Sequence, residues 1–581
     1  MADPFPREFR LPLLPLTLTA LVAVAGCKMG PDPKPLQTTD VTPTPTANFT
    51  PPELSATERA GDATALSATA ADETADGSAN VDRWWTRFND PKLDELIGKA
   101  EAANATIAGA LSRVRVAQAQ LGLSESALWP TIAAGAEYQR TKQNFSQLAA
   151  QGVDTDPFSV WAYGVAMSKW EIDLWGRIRR LIESSEADLR ASVDDLRDAL
   201  ISVRAQTTVA YLALRTLEER LAVTEAAVAN LRQTLELAEK KFKAGTTTQL
   251  DVNQAQSNLD FEEATIPQLR ATLGDAKGDL ATLCGTNTAD IEAMLGARGK
   301  IPSAPDAIAV GLPASLLERR PDLRAANQRY TAAVASIGAA EALNFPTLTL
   351  GGNLYISATD FNGLGDWSNR AYTFGPALSL PLFTGGAIDS QILQAKATAE
   401  VAFNAWRGTL VRAVAEVDVA ISSFVLARDA DVRYSKAVVS AGDTYRLAKL
   451  QYNAGTTTLE DLLEIENQYF RAQDAEVQAR GLAARSVVDL CRALGGGWES
   501  AVPVEKNAID ESRAAVATSA AEPFSRSPLT RDKNDGKNDG KNDGKNDGKT
   551  ANTNAGETQP APQAEPAPQA EPASTPTNAT P

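Results

Sequence analysis

Side chains able to form a catalytic or metal-binding centre are scarce in this 581-residue sequence. It contains no histidine, the commonest general base and metal ligand, and its three cysteines form no metal-binding cluster. Glu171 and Asp173 are carboxylates close enough in sequence to share a face, but they fall where a strand passes into a helix, and a solvated junction is the favoured interpretation. Since no nucleophile with a neighbouring base is present, we expect neither an enzyme nor a cofactor or metal site.

Cys27 is the residue whose context predicts a covalent modification. An apolar stretch at 11–25 precedes it, but that stretch is too short and too broken by proline to span a membrane as a helix. The pattern resembles the bacterial lipobox, so we predict that residues 1–26 are a removed signal peptide and that Cys27 becomes the acylated N-terminus. Lys28 at the next position favours sorting to the outer membrane. The alternative is an ordinary signal peptide with an incidental cysteine.

Cys284 and Cys491 are the other two cysteines, and they occupy matching places near the ends of two predicted helices. A disulfide between them is conceivable in an oxidising periplasm. The sequence supplies no distance between the two residues, and a disulfide needs a specific one. We therefore favour two separate, small, buried side chains.

An internal duplication organises the chain. The pentapeptide AGTTT occurs with its glycine at Gly245 and again at Gly455, so the copies lie 455 − 245 = 210 residues apart. The segments before and after the two repeats are poor in apolar residues. The net charge of the whole chain, −17, argues against a nucleic-acid partner. Composition and repeat predict five segments: a signal peptide (1–26), an acylated N-terminus with a disordered tether (27–80), a first structural repeat (81–300), a second structural repeat (301–500) and a disordered low-complexity tail (501–581).

A long stretch with the spacing of a supercoiled helix precedes the first copy of AGTTT, and a long stretch with a less regular pattern precedes the second. Apolar residues recur at heptad spacing between 176 and 245. About 68 helical residues at about 1.5 Å each would form a rod near 100 Å long. Two shorter helices placed end to end could line this rod, and the second half repeats the plan. The remaining helices are expected at 100–128, 247–284, 321–343, 387–452 and 457–493.

Each AGTTT is expected to be the tip of an antiparallel helix pair. Gly245 and Gly455 suit the left-handed position that follows a helix. A capping box then begins the returning helix, since a threonine followed three residues later by a glutamine or glutamate has this signature. The expected boxes are Thr246 with Gln249 and Thr457 with Glu460.

Four segments have a period of two instead, at 131–142, 158–170, 348–357 and 371–382. Apolar, aromatic-rich side chains fall on one face and small or polar ones on the other, which fits strands between lipid and a wet lumen. The alternative is an ordinary soluble sheet. Four strands cannot close a barrel, so we expect several chains to share one, and three would supply twelve strands. The fold class is therefore mainly α with a small β membrane part.

Several ordered motifs carry a family resemblance. They are WWTRFNDPKLDELI (84–97), WEIDLWGRIRR (170–180), LLERRPDLRAA (316–326) and ALGGGW (493–498), with the strand starts LWPTI and NFPTL. The set resembles the outer membrane factor, or TolC-like, family, and most of all its lipoprotein branch of NodT-type efflux proteins. Asn327 departs from the pattern, because an acidic residue is more usual there, and the long tail is extra.

The resemblance implies a homotrimer in the cell outer membrane, lipid-anchored and extending into the periplasm. In this family three chains share a twelve-stranded β-barrel and form a trimeric α-barrel of long antiparallel coiled-coil helices. The implied function is the exit duct of a tripartite efflux system. Such a duct passes small toxic compounds or drugs from a periplasmic adaptor and an inner-membrane pump to the exterior.

The resemblance also implies a gate at the periplasmic mouth, where the helix tips bend inward and are held by polar links. Aligned on the two glycines, the matching positions are Asp251, Tyr452, Thr457, Glu460, Asp461 and Glu464. Tyr452 is expected to hydrogen-bond to Asp251, and rings of carboxylates from Asp461 and Glu464 are expected to favour cations. The alternative is that these carboxylates only cap helices and interact with their dipoles.

Other functions stay open at this point. Within the export class, the alternative is the outer membrane channel of a type I protein secretion system. From other classes, the alternatives are a periplasmic coiled-coil scaffold lipoprotein without a pore and an envelope enzyme with a helical arm, although no catalytic constellation supports the enzyme. The sequence does not name the cargo, the pump or the adaptor.

Overall fold

The computed structural model describes residues 28–34, 36–37, 83–142, 157–303 and 319–498. All of them belong to one compact unit. The predicted signal peptide, Cys27, most of the predicted tether and the predicted tail lie outside the described residues. The boundaries of the two repeats stay predictions.

The described elements follow one another twice in the same order. In each half, a short helix is followed by two strands, a long helix and a returning helix. In chain order they are α1 (Pro91–Ala103), α2 (Ala105–Ser126), β1 (Ile132–Thr141), β2 (Phe158–Ile172), α3 (Arg177–Lys243), α4 (Gln249–Leu283), α5 (Thr288–Leu295), α6 (Pro321–Glu341), β3 (Thr347–Ala358), β4 (Arg370–Ser379), α7 (Ala387–Ala454) and α8 (Leu459–Ala493). The predicted fold class, mainly α with four strands in each chain, is confirmed.

α3 and α7 are the two long helices. They contain 67 and 68 residues, so at about 1.5 Å per residue each is about 100 Å long. Gly176 and Gly386 precede them in the left-handed conformation, with φ of 78° and 82°. The rod predicted for 176–245 is confirmed. No helix in the described ranges combines the length and the apolar character of a membrane-crossing segment.

Shorter helices line α3 in two stacked pairs. α2 packs against its first part through Val114 and Leu121, and α4 packs against its last part through Ala255 and Leu259. The second stacked pair, α6 and α8, contacts both α3 and α7. The expectation that two short helices placed end to end line the long one is confirmed.

The largest apolar cluster surrounds the middle of α3 and joins the start of the folded chain to its end. Arg204 of α3 lies within it, with its guanidinium 4.8 Å from the centroid of the Trp85 ring. The same guanidinium donates to the backbone oxygen of Gly497 and to Glu101 Oε1, the latter at 2.6 Å. Because a buried charge is unfavourable without partners, these contacts fix the segments that contain Trp85, Glu101 and Gly497 to α3.

Cys284 and Cys491 both lie in this cluster, and both are free thiols. The sulfur of Cys284 donates to the backbone oxygen of Leu96 at 3.7 Å. Burial raises the pKa of each thiol, so neither is activated for reaction. The favoured prediction of two separate buried residues is confirmed.

The first described segment is held against the start of α3 and against α6. Arg180, which is buried, donates to the backbone oxygens of Met29 at 3.0 Å and Gly30 at 3.1 Å. Asn327 accepts a hydrogen bond from the backbone N–H of Leu36 at 3.1 Å. The disorder predicted for the tether therefore does not extend to this segment, because polar contacts fix its backbone to the helices.

The four strands form one antiparallel sheet in the order β1-β2-β3-β4. The register aligns Val165 with Leu354, and Leu354 with Tyr372, so apolar side chains of neighbouring strands share one face. The next register position aligns Asn353 with Thr373, and it lies on the opposite, small and polar face. The predicted strands and their two faces are confirmed, and β1 and β4 form the edges of the sheet.

Candidate gate at the tips of the helix pairs

Each tip begins where a long helix ends at a glycine. Gly245 and Gly455 have φ of 72° and 76°, a conformation that side chains with a Cβ rarely adopt. In both tips the backbone N–H of the following threonine donates, at 3.0 Å, to a carbonyl of the last helical turn. The predicted helix ends at these two glycines are confirmed.

The third threonine of each copy caps the returning helix. Thr248 before α4 and Thr458 before α8 are extended, and each side chain accepts a bond from the backbone N–H three residues later. The reciprocal acceptors are the carboxylates of Asp251 and Asp461, which receive the N–H of the cap residue at 2.9 and 3.3 Å. Both returning helices therefore begin in a complete capping box.

The capping boxes predicted from the sequence, Thr246 with Gln249 and Thr457 with Glu460, are wrong. The hydroxyl of Thr246 donates back to the carbonyl that closes the glycine turn, at 3.0 Å, so it cannot cap the next helix. The hydroxyl of Thr457 donates to Asp461 at 3.1 Å instead of accepting from the new helix. Closing the glycine turn uses the first threonine, and the third is the residue that caps the returning helix.

Hydrogen bonds keep the two cap carboxylates ionised. The hydroxyl of Thr247 and the backbone of Thr248 donate to Asp251 and lower its pKa. Thr458 acts in the same way on Asp461. Donors to the charged form of an acid favour that form, so both cap carboxylates are negatively charged at neutral pH.

Glu460, Asp461 and Glu464 lie together at the start of α8, and all three are exposed. Glu464 accepts a hydrogen bond from the side chain of Gln468 at 3.3 Å, and Asp461 is engaged in the cap. The structure thus brings the three predicted acidic residues together. It also shows that Asp461 caps α8, which was the alternative to a role in the gate. The ring of carboxylates across a bore stays a prediction.

Tyr452 lies at the end of α7 and is 4% exposed. Burial, together with the nearby charge of Asp251, raises the pKa of its phenol. Its hydroxyl is buried and has no hydrogen-bond partner among the described residues. The predicted bond from Tyr452 to Asp251 is not formed, and the Asp251 carboxylate accepts from Thr247 and Thr248 instead.

Two residues close to the tips were not predicted. Lys241 of α3 lies over the ring of Tyr452, with its Nζ 3.7 Å from the ring centroid. Glu466 of α8 is 0% exposed in an apolar cluster. A lysine in the last turn of a helix and an acid near the start of another are expected on any solvated helix, so the sequence carries no signal that they are special.

Glu171 and Asp173, the carboxylate pair considered as catalytic, have structural partners. Glu171 accepts two bonds from the guanidinium of Arg177, at 2.9 and 2.5 Å. Asp173 accepts from the backbone N–H groups of Ile178 at 3.2 Å and Arg179 at 3.0 Å, and so caps the first turn of α3. Within the described ranges, no group of three or more acids, cysteines or histidines is arranged to hold a metal ion.

Comparison with known proteins agrees with this architecture. The family described as outer membrane efflux protein matches residues 96–286 and 312–496. The chain is 28% identical to Nodulation protein T of Rhizobium leguminosarum bv. trifolii over 434 residues, which cover 74% of this chain and 91% of that protein. It is 26% identical to the toluene efflux pump outer membrane protein TtgC of Pseudomonas putida over 490 residues, which cover 84% and 96% of the two chains. The solved outer-membrane channel OprN has a TM-score of 0.67 at 30% identity, over 73% of this chain and 96% of that one.

The family match covers most of both halves of the folded chain, including both tips. OprN is an outer-membrane channel, and its fold matches that of the present chain. Paired long helices joined to a small sheet are therefore the architecture of a channel. The alternative of a coiled-coil scaffold without a pore therefore finds no support. This chain belongs to the outer membrane efflux protein family, and it is the outer membrane exit duct of an efflux system that extends into the periplasm.

Proposed function

We propose that three copies of this chain form one lipid-anchored duct, which receives small toxic compounds from a periplasmic adaptor and an inner-membrane pump. The observation that carries the assembly is the open sheet, since among the described residues β1 and β4 each have one backbone edge without a partner strand. Open edges are not tolerated in lipid. Pairing of β1 with β4 of a neighbouring copy satisfies both edges, and three copies supply twelve strands, an even number within the range of such barrels.

Exposed apolar side chains on the helices support the same assembly. α7 carries a series of leucine and valine side chains that are 58–69% exposed: Leu393, Val401, Val411, Val419 and Val439. α2 and α4 expose Val116, Leu123 and Phe261 to a similar or larger extent. Helices of soluble proteins bury most such residues. In this proposal a neighbouring copy of the chain covers the exposed residues of α7 and those of α2 and α4.

Substitution of Leu378 tests the membrane-facing side of the sheet. Leu378 lies in β4 on the apolar face and is 70% exposed, whereas Ala377 lies on the opposite face. A charge on the lipid-facing side of a barrel costs roughly 2–4 kcal/mol at the bilayer midplane and less towards the interfaces, and Leu378 lies one residue from the end of β4. Leu378→Arg is therefore expected to lower the yield of detergent-stable trimer, measured by gel mobility with and without heating, and Ala377→Ser to leave it unchanged. Equal yields would show that the face is wrongly assigned.

Acylation of Cys27 supplies the second membrane attachment in this proposal. The residues that follow Cys27 are held by Arg180 at the start of α3, which favours a defined attachment point. Intact-mass analysis of the mature protein is expected to show a chain that begins at Cys27 and carries acyl groups. Cys27→Ala is expected to fold but to assemble less completely. A mature chain with another first residue, or an unmodified Cys27, contradicts the assignment.

The carboxylates at the tips are proposed to make the closed mouth selective for cations. Asp461→Asn combined with Glu464→Gln removes two charges but keeps oxygen acceptors for the cap and for Gln468. The double variant is expected to lose cation selectivity in planar-bilayer recordings, because a ring of fixed charges is removed. Trimer yield is the folding control. Unchanged selectivity in a well-formed trimer would leave these carboxylates with the capping role alone.

Small toxic compounds are the cargo class that the relatives favour, since the name of TtgC describes a toluene efflux pump. A strain lacking the gene is expected to become sensitive to several chemically unrelated small toxic compounds in a growth panel. Its secreted proteins, compared by gel and mass spectrometry, are expected to be unchanged. Loss of one secreted protein with unaltered tolerance would instead establish type I protein secretion.

A further inference from the structure

Residues 28–34 and 36–37, the N-terminal peptide, lie in a groove formed by the start of α3 and by α6. The backbone N–H of Met29 donates to the backbone oxygen of Trp175 at 3.2 Å, and the Asn327 side chain of α6 bonds both backbone groups of Leu36. The Leu36 side chain packs against an apolar cluster of α6 and α7. We call this groove the seat, and its main residues are Arg180 of α3 with Asn327 and Gly338 of α6.

Arg180 is the central charged residue of the seat, and it is buried. Its guanidinium donates to the backbone oxygens of Met29 and Gly30 and, at 2.8 Å, to Asp32 Oδ1. Its other acceptor among the described residues is Glu183, one turn further along α3, at 2.9 Å. Most of its acceptors therefore belong to the peptide. A buried guanidinium that loses its partners is strongly unfavourable, so the start of α3 depends on the peptide.

Two glycines let the peptide backbone touch the backbone of α6. Gly30 has φ of 84°, and a Cβ added to it would overlap the Cα atom of Gly338. A Cβ on Gly338 would lie 2.6 Å from the backbone oxygen of Met29 and 2.8 Å from Arg180 Nε. The seat therefore selects an extended peptide that has a glycine at this point and a carboxylate two residues after it.

Only one half of the duplicated fold has this site among the described residues. The glycines that precede α3 and α7 lie 386 − 176 = 210 residues apart, so Arg180 corresponds to Ser390, which is exposed. The strand starts LWPTI and NFPTL lie 346 − 130 = 216 residues apart, so Gly338 corresponds to Gly122. A Cβ on Gly122 would meet open space. A chain with one N-terminus thus has one seat.

The seat lies where the sheet meets the helices. Trp175, which binds Met29, follows the end of β2 by three residues, and its Nε1 donates to the backbone oxygen of Pro346 just before β3, at 2.8 Å. Cys27 precedes Met29 by two residues, so their Cα atoms are at most about 8 Å apart. A seated peptide therefore holds Cys27 beside the end of the sheet.

We propose that residues 28–37 are a docking peptide, and that their binding in the seat makes assembly of the duct depend on a mature N-terminus. This inference rests on the proposed function, in which Cys27 is acylated and three chains share the sheet. A chain still attached to its signal peptide in the inner membrane cannot hold Cys27 beside a sheet in the outer membrane. Its seat stays empty, and Arg180 lacks the acceptors that the start of α3 requires.

Trypsin tests whether the peptide is seated. Cleavage after Lys28 requires the chain around Met29 to leave the seat, because its N–H is bonded there. Gly30→Val adds a side chain that overlaps Gly338, and Arg180→Met removes the guanidinium. Each variant is therefore expected to be cut after Lys28 about tenfold faster than the parent. The cut fraction of purified, detergent-solubilised protein is measured by mass spectrometry.

Matched variants control for unrelated effects of substitution. Lys34→Ala changes an exposed residue of the peptide, and Gly122→Ala changes the repeat counterpart of Gly338. Both are expected to be cut at the rate of the parent, whereas Gly338→Ala is expected to be cut faster. A parent that is cut as fast as Gly30→Val overturns the seat.

Binding of a separate peptide tests recognition directly. A synthetic peptide of residues 28–37, KMGPDPKPLQ, is added at millimolar concentration to the Gly30→Val protein, whose own peptide is displaced. Saturation-transfer NMR is expected to show contact with this variant but not with the parent, whose seat is filled. The synthetic peptide carrying Gly30→Val is expected to show no contact. Equal contact with parent and variant, or contact with neither, overturns recognition by the seat.

The yield of detergent-stable trimer relates the seat to assembly. Gly30→Val and Arg180→Met are expected to lower this yield several-fold while Cys27 is acylated as in the parent. Arg180 is remote from the cleavage site in sequence, so altered signal-peptide processing does not explain its effect. An unaltered yield in a variant that trypsin cuts rapidly overturns the link to assembly. If the parent has no acyl group on Cys27 or forms no trimer, the proposed function fails, and trypsin and NMR alone then decide the seat.

Discussion

The burial of α3 is the constraint on which the rest of the structure depends. A helix of 67 residues with apolar residues at heptad spacing cannot cover that surface by itself, and no single partner of ordinary length could do so. Helices α1, α2, α4, α6 and α8 all pack along α3, and α7 packs on α6 and α8 and contacts α3 directly near the tips, where Lys241 meets Tyr452. The long helix therefore decides where every other helix lies, and it separates the sheet from the tips by about 100 Å.

This arrangement leaves a single chain incomplete. In the described part of the chain the sheet has two unpaired edges, and α7 exposes valine and leucine side chains to solvent. Both features are unfavourable for a lone chain, since open strand edges and long apolar stripes invite association. The same geometry that gives the chain its two long helices thus directs it toward neighbouring copies of itself.

Buried polar groups fix the register of the helices. A heptad seam can shift by one repeat and still place apolar residues opposite one another. Arg204 cannot follow such a shift, because its guanidinium is bound to Gly497 and Glu101 beside Trp85. Near the tips, Glu466 has the same effect through partners on two other helices. The helices are therefore held by apolar packing and aligned by a few charged side chains.

The periodic features of this protein were determined by its sequence alone. Heptad spacing predicted the rod, period-two alternation predicted the strands and their faces, and the two glycines predicted the tips, because each signal is contained within a few neighbouring residues. The tertiary structure decided the rest. The caps are Thr248 and Thr458, because Thr246 closes the preceding glycine turn and Thr457 donates its hydroxyl to Asp461. The contact of Lys241 with Tyr452 and the burial of Glu466 join positions more than two hundred residues apart. No local pattern encodes which helices meet at that level, so only their packing could reveal these contacts.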